Sequence, residues 1–206
     1  MQPVRIAVLA LQGAFRAHVQ RLAELGVEGV EARRPHDLVD VDGLVMPGGE
    51  STTMSNLLTS SGLFDDVKAR IADGLPVFGT CAGMILLATE VLDGRPDQRS
   101  FGALDITVRR NGYGRQLDSF ETELVVDGLD DPLHGVFIRA PKIETVGPGV
   151  QVLAEHQGVP VLVAAGATMA AAFHPELTDD RRLHARFVEL VTHQRTDPVD
   201  DSEQEH

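Results

Sequence analysis

Residues 76–89 read Pro-Val-Phe-Gly-Thr-Cys-Ala-Gly-Met-Ile-Leu-Leu-Ala-Thr, and the organisation of the chain can be worked outward from them. Pro76-Val77-Phe78-Gly79 is a short apolar run without polar alternation, the pattern of a strand covered on both faces. Residues 84–89 continue as an apolar helix. Gly79 and Gly83 flank Thr80-Cys81-Ala82 and permit a tight, strained turn that pushes the central side chain out at the carboxyl end of the strand. A buried strand that turns directly into a helix is the repeating unit of a parallel βαβ sheet.

The segments upstream agree. Apolar strand patterns cover residues 4–9, 29–32 and 43–46, the last halted by Pro47-Gly48-Gly49. Helical spacing covers 15–25, stopped by Gly26, then 52–58 and 63–72. Past Asp93 the pattern changes. A polar loop over 93–100 precedes strand-like runs at 105–108, 121–126, 136–138, 150–154, 160–164 and 169–173, with no long helix between them. These read as antiparallel strands added to the parallel sheet. A last helix over 180–193 carries Leu183, Phe187, Leu190 and Val191 on one side. The expected fold is therefore α/β: a mixed, mainly parallel sheet flanked by helices in three layers, with added antiparallel strands. Residues 1–195 read as one domain. Residues 196–206 are acidic and poor in large apolar groups, and read as a disordered tail.

Composition narrows the function. The chain has 206 residues, with 18 Lys and Arg against 31 Asp and Glu, a formal charge of −13. That balance argues against a nucleic-acid binder relying on phosphate neutralisation. No apolar run approaches the roughly 20 residues of a bilayer span, and the amino terminus lacks a secretory layout. One cysteine makes neither an internal disulfide nor a Cys-rich zinc site. The expectation is a soluble cytoplasmic protein without a metal site.

Cys81 stands where a helix amino terminus would favour the thiolate, and the Ala82 N–H could hold a developing oxyanion. A free cysteine is ordinarily a small buried hydrophobe; the glycine-flanked strand–helix junction tips the reading towards a nucleophile. Such a nucleophile needs a base. His36 lies in a polar loop, His184 and His193 in the last helix, and His206 in the tail. His174 differs, because it ends the apolar run 169–173 and is followed by Pro175-Glu176. A strand end delivers its imidazole to the sheet edge where Cys81 would sit, and Glu176 could orient it. Alone, His-Pro-Glu would be an exposed turn; beside Cys81 it completes a triad. Pro47-Gly-Gly-Glu-Ser-Thr-Thr53 lacks a lysine and the Walker spacing. It suits a second oxyanion donor, with Glu50 able to hold a cationic substrate group and Ser51 or Thr52 able to cap the next helix.

Together, Gly79-Thr-Cys-Ala-Gly83, Phe173-His-Pro-Glu176 and Pro47-Gly-Gly-Glu50 resemble the class I, triad-type glutamine amidotransferases. Three further segments narrow the resemblance: Leu9-Ala-Leu-Gln-Gly-Ala-Phe15, residues 110–121 (Arg-Asn-Gly-Tyr-Gly-Arg-Gln-Leu-Asp-Ser-Phe-Glu) and Phe137-Ile-Arg-Ala-Pro141. With Glu50-Ser-Thr-Thr-Met54, this set is similar to the glutaminase subunits of pyridoxal 5′-phosphate synthases, in order over residues 4–190. The resemblance implies that Cys81 attacks the side-chain amide of L-glutamine while His174 shuttles the proton and Glu176 orients it. It implies an oxyanion hole at Gly49 and Ala82, and substrate contacts from Gly49, Glu50, Ser51, Arg110, Ile138 and Arg139. Arginine and glutamate suit the α-carboxylate and α-ammonium of glutamine, although Arg109, next in sequence, competes with Arg110.

The resemblance also implies a partner, a (β/α)8-barrel synthase that consumes the ammonia. Pyridoxal 5′-phosphate would then be the product of the complex, and no cofactor is expected in this chain. The polar, glycine-containing stretch 110–121 is the expected docking surface. An amidotransferase subunit of another pathway, a catalytically silent partner, and a cysteine peptidase or a stress protein sharing the same elbow are the alternatives. The 110–121 stretch weighs against the first, the intact Cys81, His174 and Glu176 against the second, and the glutamine-reading residues against the third.

Overall fold

The computed structural model describes residues 3–110, 112 and 119–196. The chain runs through β1 (Arg5–Leu9), α1 (Phe15–Glu24), β2 (Glu28–Ala32), β3 (Gly43–Met46), α2 (Ser51–Ser60), α3 (Leu63–Ala72), β4 (Val77–Thr80) and α4 (Ala82–Leu87). It continues through β5 (Ala88–Val91), β6 (Leu104–Arg109), β7 (Ser119–Leu124), β8 (Leu133–Ile138), β9 (Lys142–Val146), β10 (Gln151–His156), β11 (Val159–Ala165), β12 (Thr168–Ala171) and α5 (Arg182–Thr196).

Seven strands form the main sheet in the order β10-β11-β12-β4-β3-β1-β2. The five from β12 to β2 are parallel, and β11 and β10 extend the edge antiparallel. The central strands β3, β4 and β12 are buried at every residue, as a sheet covered on both faces requires. Alternation along β4 shows what covers it. Phe78 packs against Phe187 and His184 of α5, and Thr80 reaches His18 of α1 on the same face. Gly79 points the other way, where Leu87 of α4 lies so close that a Cβ on Gly79 would stand 2.6 Å from its Cδ1. The result is the expected three-layer α/β architecture. Phe64, Phe78, Phe137, Phe173 and Phe187 are among its largest fully buried side chains, each contributing about 1.5–3 kcal/mol of burial free energy. No helix among the described residues is long and apolar enough to cross a membrane.

The second half departs from the expectation of antiparallel strands all added to one sheet. Only β10 and β11 do that. β6 belongs to a separate three-stranded sheet, β5-β6-β9, while β7 and β8 form a hairpin of their own. β12 inserts parallel to β4 between β4 and β11. Run length and apolarity reveal that a segment is extended, but not which neighbour supplies its ladder. The apolar helix expected over 84–89 ends at Leu87, because residues from Ala88 pair with β6. The last helix begins at Arg182 rather than at Asp180. Asp180 stays outside it as a capping acceptor for the Arg182 N–H, at 3.0 Å. Thr196, read as the first residue of the tail, closes α5; residues 197–206 lie outside the described residues.

Candidate active site

β12 and β4 are paired in the register Ala171↔Thr80, so both strands end at one sheet edge. The Cys81 N–H donates to the Ala171 carbonyl at 2.8 Å, fixing the first residue beyond β4 against the last of β12. Cys81 then takes φ 50° and ψ −105° as it hands the chain to α4. For a residue with a side chain this conformation costs about 1–3 kcal/mol and persists only where its surroundings enforce it. Part of the enforcement is Gly83, where a Cβ would stand 2.2 Å from the Met46 carbonyl oxygen. Ala82 is the first residue of α4, which aims its N–H groups towards the sulfur side of the turn.

From β12 the chain continues through Ala172 and Phe173, both fully buried, to His174, whose N–H donates to Val136 O at 2.8 Å. Pro175 starts a single 3-10 turn that folds Glu176 back beneath the imidazole. His174 Nδ1 and Glu176 Oε1 are 2.8 Å apart, and the same ring stands beside Cys81, both packing under Gly48 and lining one cavity. Burial alone would disfavour a charged imidazole. The Cys81 and Glu176 interactions outweigh it and raise the His174 pKa to about 10. Burial likewise pushes Glu176 up, but the bond from His174 and the proximity of His18 prevail, and its pKa is lowered. The His174 imidazole therefore lies between Cys81 and Glu176, hydrogen-bonded to the carboxylate and drawn towards its cationic form by both neighbours.

The loop after β3 closes the site from above. A Cβ on Gly48 would lie 2.4 Å from His174 Cε1, so only glycine lets this backbone pass over the ring. The Glu50 N–H donates to Gln12 Oε1 at 3.2 Å, which ties the loop to the end of β1. Glu50, rather than Ser51 or Thr52, caps α2. Its carboxylate accepts from Thr52 N at 3.0 Å, Thr53 N at 2.7 Å and Thr53 Oγ1 at 2.6 Å. It also accepts from Arg110 Nη2 at 2.6 Å. Slight burial would raise its pKa; the Thr53, Thr52 and Arg110 interactions prevail and hold it at about 2. The longer Glu side chain takes the cap because Ser51 turns inward: it is 2% exposed, and its Oγ has no hydrogen-bond partner among the described residues.

The end of β6 sends its two arginines in different directions. Arg109 pairs with Glu144 at 3.0 Å, whereas Arg110 turns to Glu50 and the site. A cavity of about 550 Å³ lies between these elements, within the usual range for small-molecule sites. Gly49, Glu50, Ser51, Cys81, Arg110, Ile138, Arg139 and His174 all line it. Ile138 also offers its carbonyl to Cys81 Sγ at 3.9 Å, and Arg139 follows with φ 45°. Of the remaining expected site residues, Glu176 stands behind His174, and Ala82 lies at the helix start and not in the wall. Gln12, Gly13, Ile85 and Leu177 were not singled out in the sequence. Gln12-Gly13 stands in the Leu9–Phe15 segment just beyond β1, but nothing local indicates that it braces a loop nearly forty residues on. In the stretch 110–121, expected to dock a partner, residues 111 and 113–118 lie outside the described residues.

Residues 8–193 match the model of the SNO glutamine amidotransferase family. A protein of Mycobacteroides abscessus named pyridoxal 5′-phosphate synthase subunit PdxT is 57% identical over 191 residues, covering 93% of this chain and 98% of that protein. One of the same name from Parafrankia is 56% identical over 192 residues, covering 93% and 95%. A crystal structure described as a glutamine amidotransferase, 49% identical, superposes with a TM-score of 0.86 over 91% of this chain and 98% of that one.

Proposed function

The chain belongs to the SNO glutamine amidotransferase family and is an enzyme of that class, and we propose that Cys81, His174 and Glu176 hydrolyse the side-chain amide of L-glutamine to L-glutamate and ammonia. The observation that carries this reading is the pair His174–Glu176, hydrogen-bonded at 2.8 Å, with Cys81 beside the ring on a cavity that has Glu50 and Arg110 in its wall.

In the first step Cys81 Sγ, as thiolate, forms a bond to the amide carbon. The negative charge that develops on oxygen is met by N–H groups at Gly49 and Ala82. His174, protonated well above neutrality, gives its proton to the departing nitrogen, and ammonia leaves a γ-glutamyl thioester. The anionic sulfur that held the imidazolium is then gone, so His174 is left neutral and able to take a proton from water. Attack of that water releases glutamate and restores the thiol, with Glu176 holding the imidazole in one tautomer throughout. Arg110 and Arg139 hold the α-carboxylate and Glu50 the α-ammonium, while Ser51 Oγ supplies a buried polar atom free for a substrate hydrogen bond.

The name carried by the relatives, a pyridoxal 5′-phosphate synthase subunit, supports pyridoxal 5′-phosphate as the product that the ammonia serves; the reading adds a (β/α)8-barrel synthase subunit that docks on this one, in the cytoplasm. Residues 110–121 are the proposed docking stretch. Glutamate release from L-glutamine, with and without the synthase, tests the whole reading. We expect turnover that depends on the synthase and falls by about 10⁴-fold or more in Cys81→Ala. No turnover in a verified complex would leave only a silent partner.

A further inference from the structure

Behind Glu176, away from the cavity, lies a line of polar side chains that the proposed reaction does not use. His18 of α1 and His184 of α5 are fully buried. His18 Nδ1 is 2.9 Å from His184 Nε2, and His18 Nε2 is 3.2 Å from Thr80 Oγ1 and 3.4 Å from Glu176 Oε2. Glu176 commits Oε1 to His174; its Oε2 is buried without a hydrogen bond of good geometry, and it faces His18.

The proton positions follow from counting donors and acceptors. His184 Nδ1 is buried without a partner among the described residues. A stranded N–H costs more than a stranded lone pair, so Nδ1 is bare and Nε2 carries the proton. That proton goes to His18 Nδ1, which is therefore bare too, and the His18 proton sits on Nε2, facing Glu176 and Thr80. The reverse assignment strands an N–H at His184 and sets the lone pair of His18 against a carboxylate. Both rings are neutral in this arrangement. Burial pulls His18 below its ordinary pKa and His184 to about 3, against the upward pull of Glu176. The other charged groups near the two rings are His174, beyond Glu176, and Arg21 on α1, which is paired with Glu24 and Asp179.

We propose that His18 is a positioning residue: its Nε2–H, bonded to Thr80 Oγ1 at 3.2 Å and set 3.4 Å from Glu176 Oε2, fixes the plane of the carboxylate that orients His174 and ties that carboxylate to the strand ending in Cys81. A carboxylate held by one oxygen can swing about its last bond, and a second donor removes that freedom. A neutral donor does so without withdrawing the charge that the His174 imidazolium needs; a cationic one would compete for it. Thr80 immediately precedes Cys81, so α1 braces both arms of the site through one ring.

The inference rests on the reading of Cys81, His174 and Glu176 given above, and the test separates the two. Iodoacetamide alkylation of Cys81 is followed against pH, and kcat and KM for glutamine are measured in the complex with the synthase. The proteins are wild type, His18→Leu, His18→Gln and His18→Asn. Glutamine can place its amide N–H where Nε2 was, whereas asparagine reaches only the Nδ1 position. In His18→Leu the alkylation profile should move about one unit to higher pH and kcat fall about tenfold, with KM within about twofold of wild type. His18→Gln should recover most of both. His18→Asn should behave like His18→Leu and serves where the leucine variant does not fold. A wild-type profile unchanged in folded His18→Leu or His18→Asn, or losses that glutamine does not recover, would overturn the role of His18 alone. A wild-type Cys81 that alkylates like a free thiol would overturn the proposed triad and this proposal with it.

Discussion

On its cavity side, His174 faces charges that are half-exposed and paired with one another across a space of ligand size; on its far side it faces groups that are buried and mostly neutral. The Glu50–Arg110 pair is the clearest case of the first kind, with side chains 46% and 19% exposed. An ion pair so placed contributes about 0–1 kcal/mol, so a ligand bringing its own carboxylate and ammonium can take over both partners at little cost. His18 and His184 are the second kind. With no water to replace a lost partner, any rearrangement there leaves an unpaired polar atom, at about 1–3 kcal/mol each. The side that must exchange partners is built from groups that exchange cheaply, and the side that must hold still from groups that cannot.

The comparison breaks first at Glu176, which belongs to the buried side but acts on the cavity. Glu176→Gln keeps the shape and removes the charge, so it should lower kcat by about 10³-fold or more while leaving KM nearly unchanged. Steady-state glutamine hydrolysis in the complex checks this, and a change confined to KM would place Glu176 with the binding groups instead. A smaller effect should appear at the arginines. Arg110→Ala should raise KM about 10- to 100-fold, as expected for loss of a charge-assisted hydrogen bond. Arg109→Ala, which disturbs only the pair with Glu144, should leave KM within about twofold. Equal effects from both would erase the distinction the end of β6 makes between them.

The smallest contrast is in stability against pH. His184 is held at about 3, so the unfolded chain binds its proton near 6.5 and the folded chain does not. The stability this supplies is complete above 6.5 and drains away as pH falls from there towards 3. Glu50, held at about 2, acts in the same direction but in a lower pH window. Its contribution is complete above its ordinary value of 4.5 and is lost only as pH falls below that. Between pH 7 and 5, then, the melting temperature of His184→Leu should fall less steeply than that of wild type, whereas Glu50→Gln should keep the wild-type slope. Thermal unfolding at the two pH values decides it.

Much of this was written in local patterns. Uninterrupted apolar runs announced the parallel strands, because a strand covered on both faces has no polar side to display. Gly79-Thr-Cys-Ala-Gly83 announced the turn that exposes Cys81, and a histidine ending an apolar run announced His174. Glu176 was readable because Pro175 leaves few ways to place it. Each is a statement about neighbours in sequence, which periodicity and glycine or proline chemistry fix directly. What only the folded chain decided depends on residues far apart in sequence. β12 lies beside β4 rather than at an edge, and that alone brings residue 174 to residue 81. Arg110 rather than Arg109 meets Glu50, because the end of β6 turns one inward and the other towards β9. Glu50 takes the cap of α2 once Ser51 is buried. His18, an ordinary helix residue by pattern, becomes part of the site because α1 and α5 press it and His184 against Glu176, a pairing set by burial that no local signal encodes.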